Sequence, residues 1–225
     1  MSSPKKGKKV TPQSEEYQLA LFKIRRDGLQ LKDAPKNLRR DKNLVLHAVR
    51  QKPWAIEYAD KNLRNDKHVG LLAVKLEGWT LMYLSKQLRD DRQVVETAVS
   101  QNGEALEYAS DRLQDDIDVV DIACKQDGRS LRFASKNLRN TKHVVLDAVR
   151  DNGLALEQAS KILRNDRQVV MVAVQENGMA LKYASKQLQS DKKFQKEAIK
   201  QVCVKSPEAR MNQIFQQTWL GSESS

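Results

Sequence analysis

Two cysteines, Cys124 and Cys203, are too few for a disulfide framework. Five prolines and nine glycines supply little turn material for a loop-rich all-β fold. Aromatics make up 5% of the 225 residues, so a core has to come from Val, Leu and Ala. No apolar run approaches the roughly 18–20 residues of a membrane span. The N-terminal lysines are followed by no apolar stretch of the kind a secretory signal carries. These absences predict a soluble, reduced, intracellular chain, cytoplasmic or nuclear, with no membrane partner. No C-x-x-C, phosphate-binding glycine loop, isolated carboxylate pair or nucleophile–base arrangement is present. The expectation is therefore a protein that is not an enzyme, with no cofactor, no metal and no evident small-molecule substrate.

Charge is plentiful but unevenly placed. The net charge is +11, which invites a nucleic-acid reading. Residues 1–14 carry +4 and residues 192–225 carry +3, leaving only +4 on the 177 residues between them. The body is nearly balanced. The segment Pro4-Lys5-Lys6-Gly7-Lys8-Lys9-Val10 resembles a short nuclear-import signal and equally suits a tail that contacts nucleic acid.

What the chain does have is a period. Leu38, Leu63, Leu88, Leu113, Leu138, Leu163 and Leu188 are 25 residues apart, with no insertion. Three residues after each stands Asp41, Asp66, Asp91, Asp116, Thr141, Asp166 or Asp191. Alanines recur at 48, 73, 98, 123, 148, 173 and 198, and glycines at 28, 78, 103, 128, 153 and 178, with Pro53 in the vacant slot. A period of this length signals a stack of supersecondary units. In Asp91–Val99 the apolar residues fall at i, i+1, i+4 and i+5, a helical stripe rather than a strand alternation. The recurring Asp suits an N-cap, and Thr141 can cap too. Asn102-Gly103, Asn152-Gly153 and Asn177-Gly178 read as helix stops with glycine in a left-handed C′ position. A second helix of about ten residues follows, as in Glu104–Leu113, where Leu106, Ala109 and Leu113 share a face. Helices so short are not stable alone, and stacking has to hold them.

The fold class expected is all-α: an α-solenoid of about seven 25-residue helix-turn-helix repeats with terminal capping helices. Residues 1–14 read as a disordered Lys-rich tail, 15–205 as the solenoid, 206–221 as an amphipathic capping helix and 222–225 as a second disordered tail. Glu16–Asp27 matches the first-helix slot weakly, through Leu19, Ile24 and the following Gly28, with Lys23 replacing the core alanine.

The unit L-R-x-D-[KR]-x-V-V-x-x-A-V, followed by G-x-A-L-x-Y-A-S, resembles a helical repeat family known as domain of unknown function 4116. Leu88–Gln101 with Gly103–Ser110 is a close match, and the resemblance runs over about residues 28–200. Repeat two departs from it at Pro53 and Gly70, and repeat four at Gln114 and Ile117. The resemblance implies a helical repeat protein and brings no activity with it.

Candidate binding residues come from the slots. The recurring aspartates are explained by capping. His68 and His143 lie three repeats apart and cannot share a metal; His47 has no partner at ligand spacing. Ser85, Ser110, Ser135, Ser160 and Ser185 recur in phase, as backbone hydrogen-bonding residues do. Three basic ladders flank the inter-repeat turn. Arg39, Arg64, Arg89, Arg139 and Arg164 follow the leucine; Lys42, Lys67 and Arg92, then Lys142, Arg167 and Lys192, follow the cap; Lys36, Lys61, Lys86, Lys136, Lys161 and Lys186 precede the leucine by two. The first ladder and Lys42, Lys67 and Arg92 are the candidate phosphate contacts. Repeat four cuts all three ladders with Asp111, Gln114 and Ile117, and residues 104–127 carry −6. A groove for a uniform backbone should not contain that block; a protein partner with alternating charge tolerates it. Behind the Gly/Pro slot the residue varies: Leu29, Trp54, Trp79, Glu104, Arg129, Leu154 and Met179. Trp54, Trp79, Arg129 and Met179 are the candidate partner contacts. The expected role is a scaffold that binds a protein along an extended surface. The alternative is an RNA- or DNA-binding solenoid that uses the basic ladders.

Overall fold

A computed structural model describes residues 14–205, with side chains to residue 200. The chain divides into two units, Met1–Gln101 and Asn102–Ser225. Each is an α-solenoid of stacked repeats, and no strand occurs among the described residues. The first unit contains α1 (Glu15–Arg26), α2 (Lys42–Gln51), α3 (Lys67–Leu76) and α4 (Arg92–Gln101). The second contains α5 (Asp111–Gln114), α6 (Ile117–Gln126), α7 (Lys142–Asp151), α8 (Arg167–Glu176), α9 (Lys186–Ser190) and α10 (Lys192–Lys205). The expected helix at 206–221, the tails at 1–13 and 222–225 and the side chain of Cys203 lie outside the described residues.

The first helix of each repeat forms where the stripe and cap place it. Asp41, Asp66, Asp116, Asp166 and Asp191 each accept from the amide three residues on, as in Asp41 Oδ1 with the Leu44 amide at 2.8 Å. Asp91 does the same for Val94 at 3.1 Å. Thr141 does not: its hydroxyl turns back and donates to the Asn137 carbonyl, so α7 has no side-chain cap. Ser14, assigned to the tail from sequence, is the N-cap of α1, accepting from the Tyr17 amide. On α1 the buried residues are Tyr17, Ala20 and Ile24, whereas Leu19 is 56% exposed and plays no part in the core.

The second element is not a ten-residue α-helix. Gly78–Tyr83, Gly103–Tyr108 and Gly153–Gln158 are six-residue 3₁₀ helices, followed by an extended residue and a further short helical turn. The reason lies between repeats. Leu84 is extended, and the Ser85 amide donates to the carbonyl of Arg64 in the preceding repeat rather than back along its own helix. Ser135, Ser160 and Ser185 do the same to Gln114, Arg139 and Arg164. The serine hydroxyl then caps the next turn, accepting from Leu88, Leu138, Leu163 or Leu188.

The glycines also act between repeats. No described glycine has positive φ, so the left-handed C′ reading does not hold. At Gly128 a Cβ would lie 2.2 Å from the carbonyl oxygen of Ala148, in the next repeat; at Gly28 it would lie 2.4 Å from that of Ala48. Glycine is needed because the following helix is seated directly on its Cα. The partner alanines are fully buried, and so are Leu44, Val45, Val69, Val94, Leu106, Val119, Leu156 and Val170. The α-helices stack on one another and on the 3₁₀ layer. At about 1.5–3 kcal/mol for each large buried apolar side chain, this layer supplies what no single repeat can.

Candidate functional site

The ladder behind the caps is consumed by the fold. Lys42 Nζ lies 2.6 Å from Asp66, Lys67 Nζ 2.8 Å from Asp91, Lys142 Nζ 2.7 Å from Asp166 and Arg167 Nη1 2.6 Å from Asp191. Each cation therefore binds the N-cap of the next helix. The cap carboxylates respond. Burial of Asp166 works to raise its carboxyl, but the Lys142 ammonium and the Val169 amide outweigh that and hold it below the usual aspartate value. The same balance lowers Asp66 and Asp91. In Asp191 the Phe194 amide leads, followed by Arg167. Lys42 and Lys67 are thus already paired inside the protein. Arg92 forms an ion pair with Glu96 at 3.1 Å. The signal was the 24-residue spacing of opposite charges. Where Thr141 replaces the cap Asp, Ile117 stands in the preceding cation slot.

A second reciprocal pair joins the turns. Ser85, Ser160 and Ser185 donate from Oγ to Asn65, Asn140 and Asn165 of the preceding repeat, and Ser135 donates to Asp115. In repeat two the polarity is reversed: Arg40 Nε donates to Asp60 at 3.0 Å, with Asp60 in the serine slot. The Asn62 amide and Arg40 lower the Asp60 carboxyl.

The arginine ladder behaves differently. The side chains of Arg39, Arg64, Arg89, Arg139 and Arg164 are half-buried and make no hydrogen bond or ion pair among the described residues. The Nε atoms of Arg64, Arg89, Arg139 and Arg164 are buried without a partner. Gln114 and Gln189 show where this slot points. Gln114 Nε2 donates to the carbonyls of Leu106 (3.0 Å), Glu107 (3.1 Å) and Ala109 (3.3 Å), and Gln189 donates to those of Lys182 and Ala184. The slot lies over the carbonyl end of the 3₁₀ helix. The lysines of the third ladder are all exposed and make no ion pair among the described residues.

The variable slot begins each 3₁₀ helix. Trp54 is 38% exposed and meets Tyr83 of the next repeat edge-on, with centroids 6.0 Å apart. Trp79 is half-buried; Met179 is 47% exposed in the second unit. Arg129 is already engaged: Nη2 lies 2.6 Å from Asp127, and Glu104 holds Arg132 at 2.8 Å beside it. Trp54 and Trp79 belong to the first unit, and Arg129 and Met179 to the second. Missed from sequence were the exposed Leu76, Met82 and Ile162; each interrupts a slot that is polar in other repeats.

Six overlapping segments, 17–64, 41–89, 66–114, 91–139, 141–189 and 166–204, match the family described as Domain of unknown function (DUF4116). The chain belongs to this family. The DUF4116 segments run from 17 to 204, and all but the last are about two repeats long, so the matched unit includes the inter-repeat bonds set out above. No curated protein and no solved structure matches the chain. Among the described residues of this DUF4116 protein no group of His, Cys, Asp and Glu could hold a metal ion, and no helix is long and apolar enough to cross a membrane. Cys124 is fully buried; burial, with Asp121 and Asp147 nearby, pushes its thiol up to about 12 and keeps it protonated.

Proposed function

We propose that this protein is a non-enzymatic scaffold that binds a protein partner through the surface slot following each Gly/Pro position. The observation that carries the reading is the contrast between neighbouring slots. Cap, serine, glycine and alanine slots keep nearly the same residues and are spent on inter-repeat bonds, while the slot beside them is apolar, acidic or basic in turn. In the first unit it is Leu29, Trp54 and Trp79, and in the second Glu104, Arg129, Leu154 and Met179. Large apolar side chains on a repeat surface are the usual anchors of protein recognition.

Base stacking is less well supported. The ring of Phe133 lies under Arg132 at 4.5 Å and that of Tyr183 under Lys182 at 4.6 Å, so the platform a single strand requires is partly occupied. The test is capture of partners on the full chain from its native lysate, with and without nuclease. A stoichiometric protein that survives nuclease and is lost with Trp54→Ala/Trp79→Ala is the expected result. Loss of every partner on nuclease treatment would replace this reading with the nucleic-acid one.

A further inference from the structure

We infer that the edge of the first unit bearing Lys36, Arg39, Lys61, Arg64, Lys86 and Arg89 docks an extended acidic polypeptide segment with an acid at every third residue. The inference rests on the scaffold reading above and names the chemistry of the partner.

The first support is charge without counter-charge. In this unit Lys42 and Lys67 are neutralised by Asp66 and Asp91, and Arg40 by Asp60. The six edge cations make no ion pair among the described residues. Lysine and arginine stand three residues apart in the turn before each first helix, so each repeat contributes two cations, one rung. The second support is an arginine head with no internal partner. Arg39, Arg64 and Arg89 are half-buried and their side chains make no hydrogen bond among the described residues. The stack does not need arginine there, because Gln114 fills the same slot with all its amide bonds inside the repeat. Arginine in place of glutamine leaves a fork of donors for an outside carboxylate.

The third support is spacing. Packed helices lie about 8–10 Å apart, which sets the distance between rungs. A polyproline II segment rises about 3.1 Å per residue with three residues per turn, so every third side chain returns to the same side after about 9 Å. Three acids in that register meet three rungs. The second unit lacks an equal edge: Asp111 and Gln114 occupy its first rung and Gln189 its last arginine slot. Nucleic acid is the alternative occupant, which the RNA probe below tests.

The experiment uses the full chain and fluorescence anisotropy at low salt, where exposed charges are least screened. The probes are a labelled peptide of four Glu-Pro-Ser triplets, an isomer with its four glutamates adjacent, and an oligouridine RNA of equal charge. The triplet peptide should bind at least 5-fold tighter than the isomer and the RNA. Arg39→Gln/Arg64→Gln/Arg89→Gln, which places a residue the slot already accepts, should weaken it at least 10-fold. Lys36→Gln/Lys61→Gln/Lys86→Gln should do likewise, and Lys136→Gln/Lys161→Gln should change it less than 2-fold. Equal binding of the two peptides, or equal loss in the second-unit control, would overturn the inference. So would tighter binding of the RNA with the same residue dependence. A captured protein that still depends on Trp54 and Trp79 while the peptides bind alike would sink the acidic segment and leave the scaffold reading standing.

Discussion

The two units solve the same stacking problem with different residues. The first joins its repeats mainly with charge, through Lys42–Asp66, Lys67–Asp91 and the reversed pair Arg40–Asp60, and adds one serine bond, Ser85–Asn65. The second mixes solutions. It keeps Lys142–Asp166 and Arg167–Asp191, puts the neutral Ile117 and Thr141 in the equivalent slots, and bonds its turns through Ser135–Asp115, Ser160–Asn140 and Ser185–Asn165. The two slots change together: a cation stands 24 residues before an acid, and where the cation slot holds Ile117 the acid slot holds Thr141. The glycine–alanine contact recurs unchanged, as Gly28–Ala48 in the first unit and as Gly103–Ala123, Gly128–Ala148 and Gly153–Ala173 in the second.

That comparison can be broken most severely at the glycines. Gly128→Ala drives a Cβ into the Ala148 carbonyl, a backbone atom that cannot step aside, and should cost about 3 kcal/mol. Gly70→Ala meets only the ends of Leu88 and Leu84 and gains helix propensity, so its change should stay within about 1 kcal/mol. Urea midpoints followed by circular dichroism separate the two. The caps come next. Asp66→Ala and Asp166→Ala each remove a cap and the acceptor of an ion pair, and should cost about 1–2 kcal/mol. Thr141→Ala should cost under about 0.5 kcal/mol, because Thr141 caps nothing.

Acid should divide the helices in the same way. Asp166 has a folded-state pKa held below the ordinary 3.8. Its contribution is therefore complete above that value and is lost as pH falls through the lowered one. Hydrogen exchange at the Val169 amide should quicken over that window, while Val144, behind Thr141, should show no matching step. Smaller and opposite in sign is Ser130→Ala. Ser130 Oγ is buried with no partner, and Ala105, Ala155 and Ala180 fill the equivalent slot. Removing the hydroxyl should stabilise the second unit by about 1 kcal/mol. The smallest effect is the exchange of one solution for the other. Ile117→Lys with Thr141→Asp should show a coupling of about 0.5 kcal/mol in a double-mutant cycle, as expected for an exposed pair.

Much of this architecture is legible in the chain. The 25-residue period, the first helices and the aspartate caps need only local rules: a stripe, a cap and a count. The second element was not legible. Leu106, Ala109 and Leu113 carry a helical period, yet Ala109 is extended and the run is divided. The serine amides had another acceptor, a carbonyl in the preceding repeat, and no single-repeat rule contains it. The candidate site divides along the same line. Trp54 and Met179, read from their slot as candidate partner contacts, are exposed. Lys42, Lys67 and Arg129 looked equally available, but their partners stand in a neighbouring repeat or in a local carboxylate pair.

By itself the sequence determined that the protein is all-α, its 25-residue period and, in the repeats after α1, which face of the first helix is buried and where that helix starts. Those depend on periodicity and capping within a few residues. The tertiary structure alone decided which cations are free, why the glycines are glycine, and that the second layer is 3₁₀ rather than α. Each of these depends on an atom about 20–25 residues away, brought into contact only when one repeat closes on the next.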